Sequence, residues 1–171
     1  MKLEALEEVT EEFAAYLSEV TDYDLTAPTP CARWAVHDLC AHVLDMNASL
    51  AETLGPRAAP ARQRGPCASR ETVYRDSARR VADALARAAD AGEELFESHL
   101  ASTLIHTWDL AQATRLELDL PSPHALDIAL RYLRRLPPES RGQGKPFAAI
   151  LDFPPAAPLD EVLFLSGRIP A

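Results

Sequence analysis

Apolar residues recur at steps of three and four positions along four long stretches of this chain. This spacing places them on one face of a helix and is typical of helices that pack against a common core. The four helices are predicted over residues 2–21, 35–54, 70–91 and 96–114. A shorter helix is predicted over 122–135, and the tail from Pro137 onward is predicted to be extended chain with one short helix over 159–166. The pattern therefore predicts an all-α fold built as a four-helix bundle.

The length of 171 residues suits one domain with its own core, so residues 1–171 are interpreted as a single domain. No apolar run reaches the length of about 18 residues that a membrane-spanning helix needs. The start of the chain is acidic and lacks the basic and apolar parts of a signal peptide. We therefore expect a cytoplasmic protein with no membrane partner.

The overall charge of the chain argues against a nucleic-acid partner. It is −9, whereas proteins that bind nucleic acids usually present a basic surface. One segment is the exception, with eight arginines between Arg57 and Arg87. Aromatic residues do not alternate densely with these arginines, as they do in many proteins that bind single strands. The segment is therefore interpreted as a solvated surface.

Three cysteines, Cys31, Cys40 and Cys67, form no CxxC pair and leave an odd number. This count disfavours a disulfide framework and a zinc finger. Cys31 and Cys40 are interpreted as structural residues, because cysteine is among the most buried residue types. Either one is also a candidate reactive thiol.

Histidines lie on the predicted core faces of two helices. His42 sits at the edge of the apolar stripe of the second helix, and His106 shares a face of the fourth helix with His99 and Ser102. Two interior histidines on facing helices are a recurring way to build a metal site in a bundle. The alternative is that each is only a hydrogen-bonded residue at the core margin. The histidines predicted to be exposed are His37 and His124.

The string HTWDLA, which begins at His106, carries two residues that are costly to bury without a partner, Trp108 and Asp109. Asp109 is either a group that orients a nearby histidine or arginine, or a helix-surface residue in an ion pair. A structural position near the site, but not in it, is the interpretation that we favour.

Three stretches of the chain carry a family resemblance. They are PTPC at 28–31 followed by WAVHDL at 34–39 and AH at 41–42, HTWDLAQAT at 106–114, and the closing segment from Pro158 to Pro170. In these stretches the chain resembles the mycothiol-dependent maleylpyruvate isomerase-like branch of the DinB superfamily. The similarity covers most of the chain, and the paired motifs are specific to the family rather than to one reaction.

The resemblance implies a DinB-like four-helix bundle, here with an additional short helix and an extended C-terminal tail. It also implies a divalent metal, often zinc, whose ligands match His42, His106 and position 102. Characterised relatives are transferases or isomerases that act on small organic molecules and use a low-molecular-weight thiol such as mycothiol. Together with helical phase, the resemblance gives a set of candidate substrate-binding residues: Trp34, Met46, Asn47, His99 and Ser102.

Two positions depart from the family pattern. Ser102 stands where relatives carry a carboxylate ligand, so the third metal ligand is left open. Ala35 stands where a serine or threonine usually begins the second helix. Loss of such a cap typically costs about 1 kcal/mol, which affects stability rather than chemistry.

Two hypotheses for the function follow. In the first, His42 and His106 are the catalytic residues and hold a metal in a thiol-dependent transferase or isomerase. In the second, a metal-free family member uses the same pocket to bind a small molecule, or uses the two histidines as general acid and base. The oligomeric state is left open, with a homodimer as one candidate.

Overall fold

The computed structural model describes residues 2–31, 33–55, 69–88, 92–143, 145, 147–151 and 155–170. Within these residues the chain forms helices and no β-strand, so the predicted all-α fold is confirmed. The helices are α1 (Lys2–Glu19), α2 (Val36–Leu54), α3 (Arg70–Ala88), α4 (Glu93–Thr114), α5 (Pro123–Arg135) and α6 (Pro158–Leu165). Among the described helices, none combines the length and the apolar character needed to cross a membrane.

The helix ends differ from the predicted ones by a few residues. Helix α1 ends at Glu19 rather than at residue 21, and α4 begins at Glu93 rather than at residue 96. Two glutamates in the first turn of α4 favour this earlier start, because negative charge suits the positive end of the helix dipole. The predicted end of the third helix, over 89–91, lies outside the described residues.

Helix α2 begins at an alanine cap, as its sequence predicts. Ala35 has no side-chain acceptor for the exposed backbone N–H groups of the first turn. The carboxylate of Asp38 instead accepts the backbone N–H of Ala35, with a distance of 2.9 Å. This contact is one half of a capping box, so part of the missing cap is replaced.

Helix α4 is the central element of the bundle and packs against α1, α2 and α5. Fourteen of its side chains are buried, and they lie on every side of the helix. A helix that is buried all round carries its polar residues into the interior, where each needs a partner. Glu97, which is 2% exposed, pairs with Arg131 and Arg135 of α5. The hydroxyls of Thr103 and Thr107 donate to backbone carbonyls of α4 itself. His99 and His106 line the cavity described below.

The part of the arginine-rich segment that the structure describes lies on α3. Arg75 pairs with Glu11 of α1 and with Glu71, and Arg70 pairs with Asp22. These are surface ion pairs, in agreement with the predicted solvated surface. Arg57, Arg62, Arg64 and Cys67 lie outside the described residues.

The tail returns to the bundle after α5 and is tied to it by buried contacts. The guanidinium of Arg141 donates hydrogen bonds to the carbonyls of Leu133 and Leu165, which joins α5 to the end of α6. Gly167 then turns the chain with a φ of +77°. A Cβ at Gly167 would meet the Cβ of Ala148 at 2.5 Å, so only glycine fits between the two passes of the tail.

Candidate functional site

A cavity of about 1100 Å³ opens between α2, α4 and the tail. The turn before α2 closes one end with Cys31 and Trp34, and Arg168 of the tail lies beside them in the wall. His42 and Met46 of α2 and His99, Ser102 and His106 of α4 also line the cavity. Three parts of the chain that are distant in sequence, namely α2 with its preceding turn, α4 and the tail, thus build one pocket of a size that suits a small organic molecule.

The two predicted catalytic histidines are neighbours in this cavity. The ring centroids of His42 and His106 are 5.1 Å apart, in an edge-to-face arrangement of 82°. The indole of Trp34 covers His42 at a centroid distance of 4.6 Å. Burial, with a smaller contribution from His106, lowers the pKa of His42, while Asp45 opposes the shift. His42 therefore favours the neutral form, which can bind a metal or accept a proton.

Asp109 lies behind His106 and fixes its tautomer. The carboxylate is 0% exposed, and its Oδ2 lies 3.0 Å from Nδ1 of His106. Because a carboxylate with a depressed pKa is ionised, Nδ1 carries the proton and donates it, which leaves the lone pair at Nε2. Burial acts to raise the pKa of Asp109, but the hydrogen bonds from His106 and Arg168 outweigh it and lower this pKa. The alternative of a helix-surface ion pair is wrong for Asp109, since the residue is fully buried.

Arg168 holds Asp109 from the opposite side. Its Nε donates to Oδ1 at 3.2 Å and its Nη2 donates to Oδ2 at 2.9 Å, which gives a two-pronged ion pair. A third guanidinium nitrogen, Nη1, donates to the carbonyl of Ser166 at 2.9 Å. The tail is thereby connected to His106 through one buried carboxylate.

Cys31 joins the same cluster, and sequence reasoning missed its position in the cavity wall. Its Sγ donates to Oδ2 of Asp109 at 3.0 Å and accepts from Nη2 of Arg168 at 3.2 Å. Burial and the neighbouring Asp109 raise the pKa of the thiol to about 12, against the opposing effect of Arg168. The free thiol is therefore protonated at neutral pH and is a poor nucleophile. One signal was available in the sequence, because Cys31 belongs to the first family motif and lies three positions before Trp34.

The described residues include one group of side chains with the spacing of a metal site: Cys31, His106 and Asp109. One sulfur, nitrogen or oxygen atom from each lies within 4.8 Å of those of the other two. Cys40, by contrast, is half-buried on α2 and is not part of the cavity wall. Burial raises the pKa of its thiol as well.

The predicted substrate-binding residues divide into those that line the cavity and one that does not. Trp34, Met46, His99 and Ser102 line it. Asn47 is buried on another side of α2, where its Nδ2 donates to Ser77 Oγ of α3 at 2.8 Å. The placement of Asn47 in the pocket is corrected accordingly. One step along a helix turns the side chain by about 100°, which separates Asn47 from Met46.

The two histidines predicted to be exposed lie at the surface. The imidazole Nδ1 of His37 contacts the carbonyl of Leu25 at 2.9 Å, at the outer side of α2. His124 is exposed at the start of α5. Neither residue is in the cavity wall.

The sequence profile of the family described as mycothiol maleylpyruvate isomerase N-terminal domain matches residues 6–104. The chain belongs to this family. The mycothiol maleylpyruvate isomerase N-terminal domain family is part of the DinB-like superfamily, so the resemblance noted in the sequence is confirmed. The matched residues include His42 and Ser102, whereas His106, Asp109 and Arg168 follow the matched part.

Two relatives match nearly the whole chain. Both are uncharacterized proteins of Mycobacterium tuberculosis, one from strain CDC 1551 / Oshkosh and one from strain ATCC 25618 / H37Rv. Each is 30% identical over 166 residues, which cover 91% of this chain and 91% of the relative. No solved structure gives a significant match.

The cavity offers a partial ligand set for the divalent metal that the resemblance implies. His42 and His106 are adjacent imidazoles, and the Asp109 carboxylate accepts the second ring N–H of His106. Such a carboxylate behind the histidine is the usual support for a metal-bound imidazole. Ser102 lines the cavity but offers only a hydroxyl. The two histidines therefore fit a metal ion, and position 102 does not complete the site.

Proposed function

We propose that this protein catalyses a transfer or isomerisation reaction on a small organic molecule with a low-molecular-weight thiol such as mycothiol as cosubstrate. In this proposal His42 and His106 hold a divalent ion such as zinc. The observation that carries it is the contact of these two imidazoles, 5.1 Å apart on facing helices, with His106 oriented by Asp109. Membership of a family named for a mycothiol-dependent isomerase supports the choice of thiol and reaction class.

A bound zinc ion would supply a Lewis acid that keeps a thiol in its reactive, deprotonated form. The protein's own residues have separate tasks around that position. Asp109 keeps the proton at Nδ1 of His106, so that Nε2 stays available as a ligand. Arg168 neutralises the buried Asp109 carboxylate, and Trp34 packs on the ring of His42.

The test of this proposal is the metal content of untagged protein purified without chelator or added metal. We expect about one equivalent of zinc or a similar ion in the wild type. His42→Ala should lose the ion, because a single remaining imidazole binds it far more weakly. His37→Ala is the matched control, since His37 lies on the outer side of the same helix and should keep the ion.

Activity is measured next, with mycothiol and maleylpyruvate as the first probes. We expect turnover that is lost with chelator and restored with zinc. A wild type that retains no ion after incubation with zinc would contradict the metal-dependent proposal, whatever its activity.

One observation favours a second function without a metal. Ser102 stands at the position of the carboxylate ligand, while the Asp109–His106 hydrogen bond alone resembles the pair that makes an imidazole a general base. In this case Nε2 of His106 removes a proton from a bound small molecule. Turnover should then persist in chelator, and Asp109→Asn should lower kcat by about 10²-fold or more.

A further inference from the structure

We propose that the cavity takes a small carboxylate with an apolar body, and that Arg33 and Lys145 bind its anionic group where the cavity opens to solvent. The inference rests on the proposed function, because it names the class of substrate for the same cavity. It assigns a role to two side chains that neither the metal-dependent nor the metal-free reaction uses.

Arg33 and Lys145 reach the cavity from two separate segments of the chain. Arg33 lies in the turn before α2 and Lys145 lies in the tail, and both residues are exposed although they line the cavity. This combination places them at the opening of the cavity. The contact of 3.2 Å between Arg168 Nη2 and Cys31 Sγ holds the tail against the turn. The two segments that carry the cations are therefore in contact with each other.

The positive charges of these two side chains are not balanced within the protein. In the part of the chain that the structure describes, neither Arg33 nor Lys145 forms an ion pair or a side-chain hydrogen bond. Arg168 differs, because Asp109 balances its charge and all three of its guanidinium nitrogens donate hydrogen bonds. Asp45 is the one acidic residue among the described residues of the wall. The cavity thus keeps a positive charge in a chain of net charge −9, which attracts an anion.

The backbone at Arg33 is a second, independent indication that its side chain is used. Its φ is +73°, in a turn that the backbone N–H of Trp34 closes on the carbonyl of Cys31. Glycine or asparagine suits such a position better than arginine. Arg115, the other described non-glycine residue with a positive φ, ends α4, where this conformation is common. Arg33 ends no helix, so its strained conformation favours a function for the guanidinium.

The rest of the cavity wall favours an apolar body for the ligand. Five large apolar side chains line the cavity: Trp34, Met46, Leu50, Ile105 and Phe147. The volume of about 1100 Å³ is far larger than a carboxylate group needs. An apolar part of the ligand gains free energy by leaving water in contact with these side chains.

The number of charges favours a carboxylate over a phosphate. Guanidinium and ammonium groups bind both anions with charge-assisted hydrogen bonds. A carboxylate carries one negative charge, which equals the excess of the two unpaired cations over Asp45. A phosphate monoester carries nearly two negative charges at neutral pH, so part of its charge would be left without a partner.

Binding of linear carboxylates tests the inference without a metal and without turnover. Butyrate, hexanoate and octanoate are titrated into the full chain by isothermal calorimetry, with the primary amide of each acid as the neutral control. Excess chelator is present, so that no bound ion can hold the carboxylate. We expect affinity to rise with chain length. Each acid should bind at least about tenfold more tightly than its amide.

Substitution of the two cations measures what each contributes. Arg33→Gln and Lys145→Gln should each weaken octanoate binding about three- to fivefold, and the double variant about tenfold or more. The affinity for octanamide should not change. Arg115→Gln is the matched control, because it removes an exposed arginine that also has a positive φ but lies outside the cavity wall. If Arg33→Gln does not fold, Lys145→Gln and Arg115→Gln still make the comparison.

Four results would overturn the inference. They are equal binding of octanoate and octanamide, no binding of any of the acids, tighter binding of octyl phosphate than of octanoate, and equal loss of octanoate affinity in Arg115→Gln. Octanoate binding that requires added zinc would likewise assign the carboxylate to the ion and leave the metal proposal intact. A wild type that binds octanoate selectively but retains no zinc overturns the metal proposal alone.

Discussion

His99 is a buried imidazole in the wall of the cavity. It is 5% exposed, and burial lowers its pKa from 6.5 to about 4. The unfolded chain therefore takes up a proton at this residue below about pH 6.5, whereas the folded protein does so only near pH 4. Stability that is fully present above pH 6.5 is thus lost as the pH falls towards 4.

This residue gives a prediction for the pH dependence of stability. Through His99, the free energy of unfolding of the wild type should fall by about 3 kcal/mol between pH 7 and pH 4. His99→Leu should not show this decrease. Urea unfolding at several pH values in this range measures it. His124→Gln, an exposed histidine on α5, should follow the wild type. If the free energy of unfolding changes equally with pH in the wild type and in His99→Leu, His99 is not the origin of the pH dependence.

At the residue scale, helical phase predicted part of the site. His42 and His106 follow from apolar spacing within one helix each, and both line the cavity. Cys31, Asp109 and Arg168 could not be connected in this way, because the contacts among them span 59 to 137 positions of sequence. The prediction that Asn47 lines the pocket was wrong because Met46 and Asn47 point about 100° apart around α2, and only Met46 faces the cavity.

At the scale of elements, the turn at Gly167 brings Arg168 to Asp109. Its φ is +77°, and an added Cβ would lie 2.5 Å from the Cβ of Ala148 and 2.8 Å from the carbonyl oxygen of Ala149. One of these atoms belongs to the backbone and the other to a short side chain, so neither can move away by rotation. The tail must shift if this position carries a side chain.

Gly167→Ala should therefore lower the free energy of unfolding by about 2–4 kcal/mol, from left-handed backbone strain and steric overlap together. Gly142→Ala is the matched control, since Gly142 has a φ of +109° but no atom within 4 Å of an added Cβ. It should show the backbone effect without the overlap. Urea midpoints of the two variants compare them, and equal losses would contradict the close packing of the tail.

The helices themselves were largely predictable, and the tail was less so. The regular spacing of apolar residues predicts α1 to α5 to within a few residues, because each helix buries one face along its whole length. The short helix expected over 159–166 is Pro158–Leu165. The rest of the tail shows no regular spacing of apolar residues. Its path depends on the long-range contacts of Arg141 and Arg168.

For the whole molecule, the central position of α4 couples the site to overall stability. The same helix contributes to both hydrophobic clusters of the core and carries His106 and Asp109. An ion that binds only the folded protein must therefore stabilise the entire bundle through mass action. The arrangement of four long helices that makes this coupling possible was predictable from sequence, whereas the burial of α4 on all sides was not, because its sequence includes many polar residues.

This coupling predicts that zinc raises the thermal midpoint of unfolding. Free zinc at about 100 times its Kd should add about 2.7 kcal/mol, or roughly 5–10 °C for a chain of this size. Scanning calorimetry with zinc and with chelator measures the shift. Magnesium should have little effect, because it prefers oxygen ligands. An equal zinc-induced shift in His42→Ala would place the ion elsewhere on the protein.

The packing of Trp34 on His42 gives the protein a built-in optical reporter. The chain has two tryptophans, and the other, Trp108, is buried in α4. Indole emission responds to the charge and the contacts of a neighbouring imidazole, and Trp34 lies 4.6 Å from this one. In a Trp108→Phe background, all tryptophan emission comes from the end of the cavity that Trp34 closes. Thiols, ions and substrate fragments can then be screened by intrinsic fluorescence, with no label and before any reaction is known.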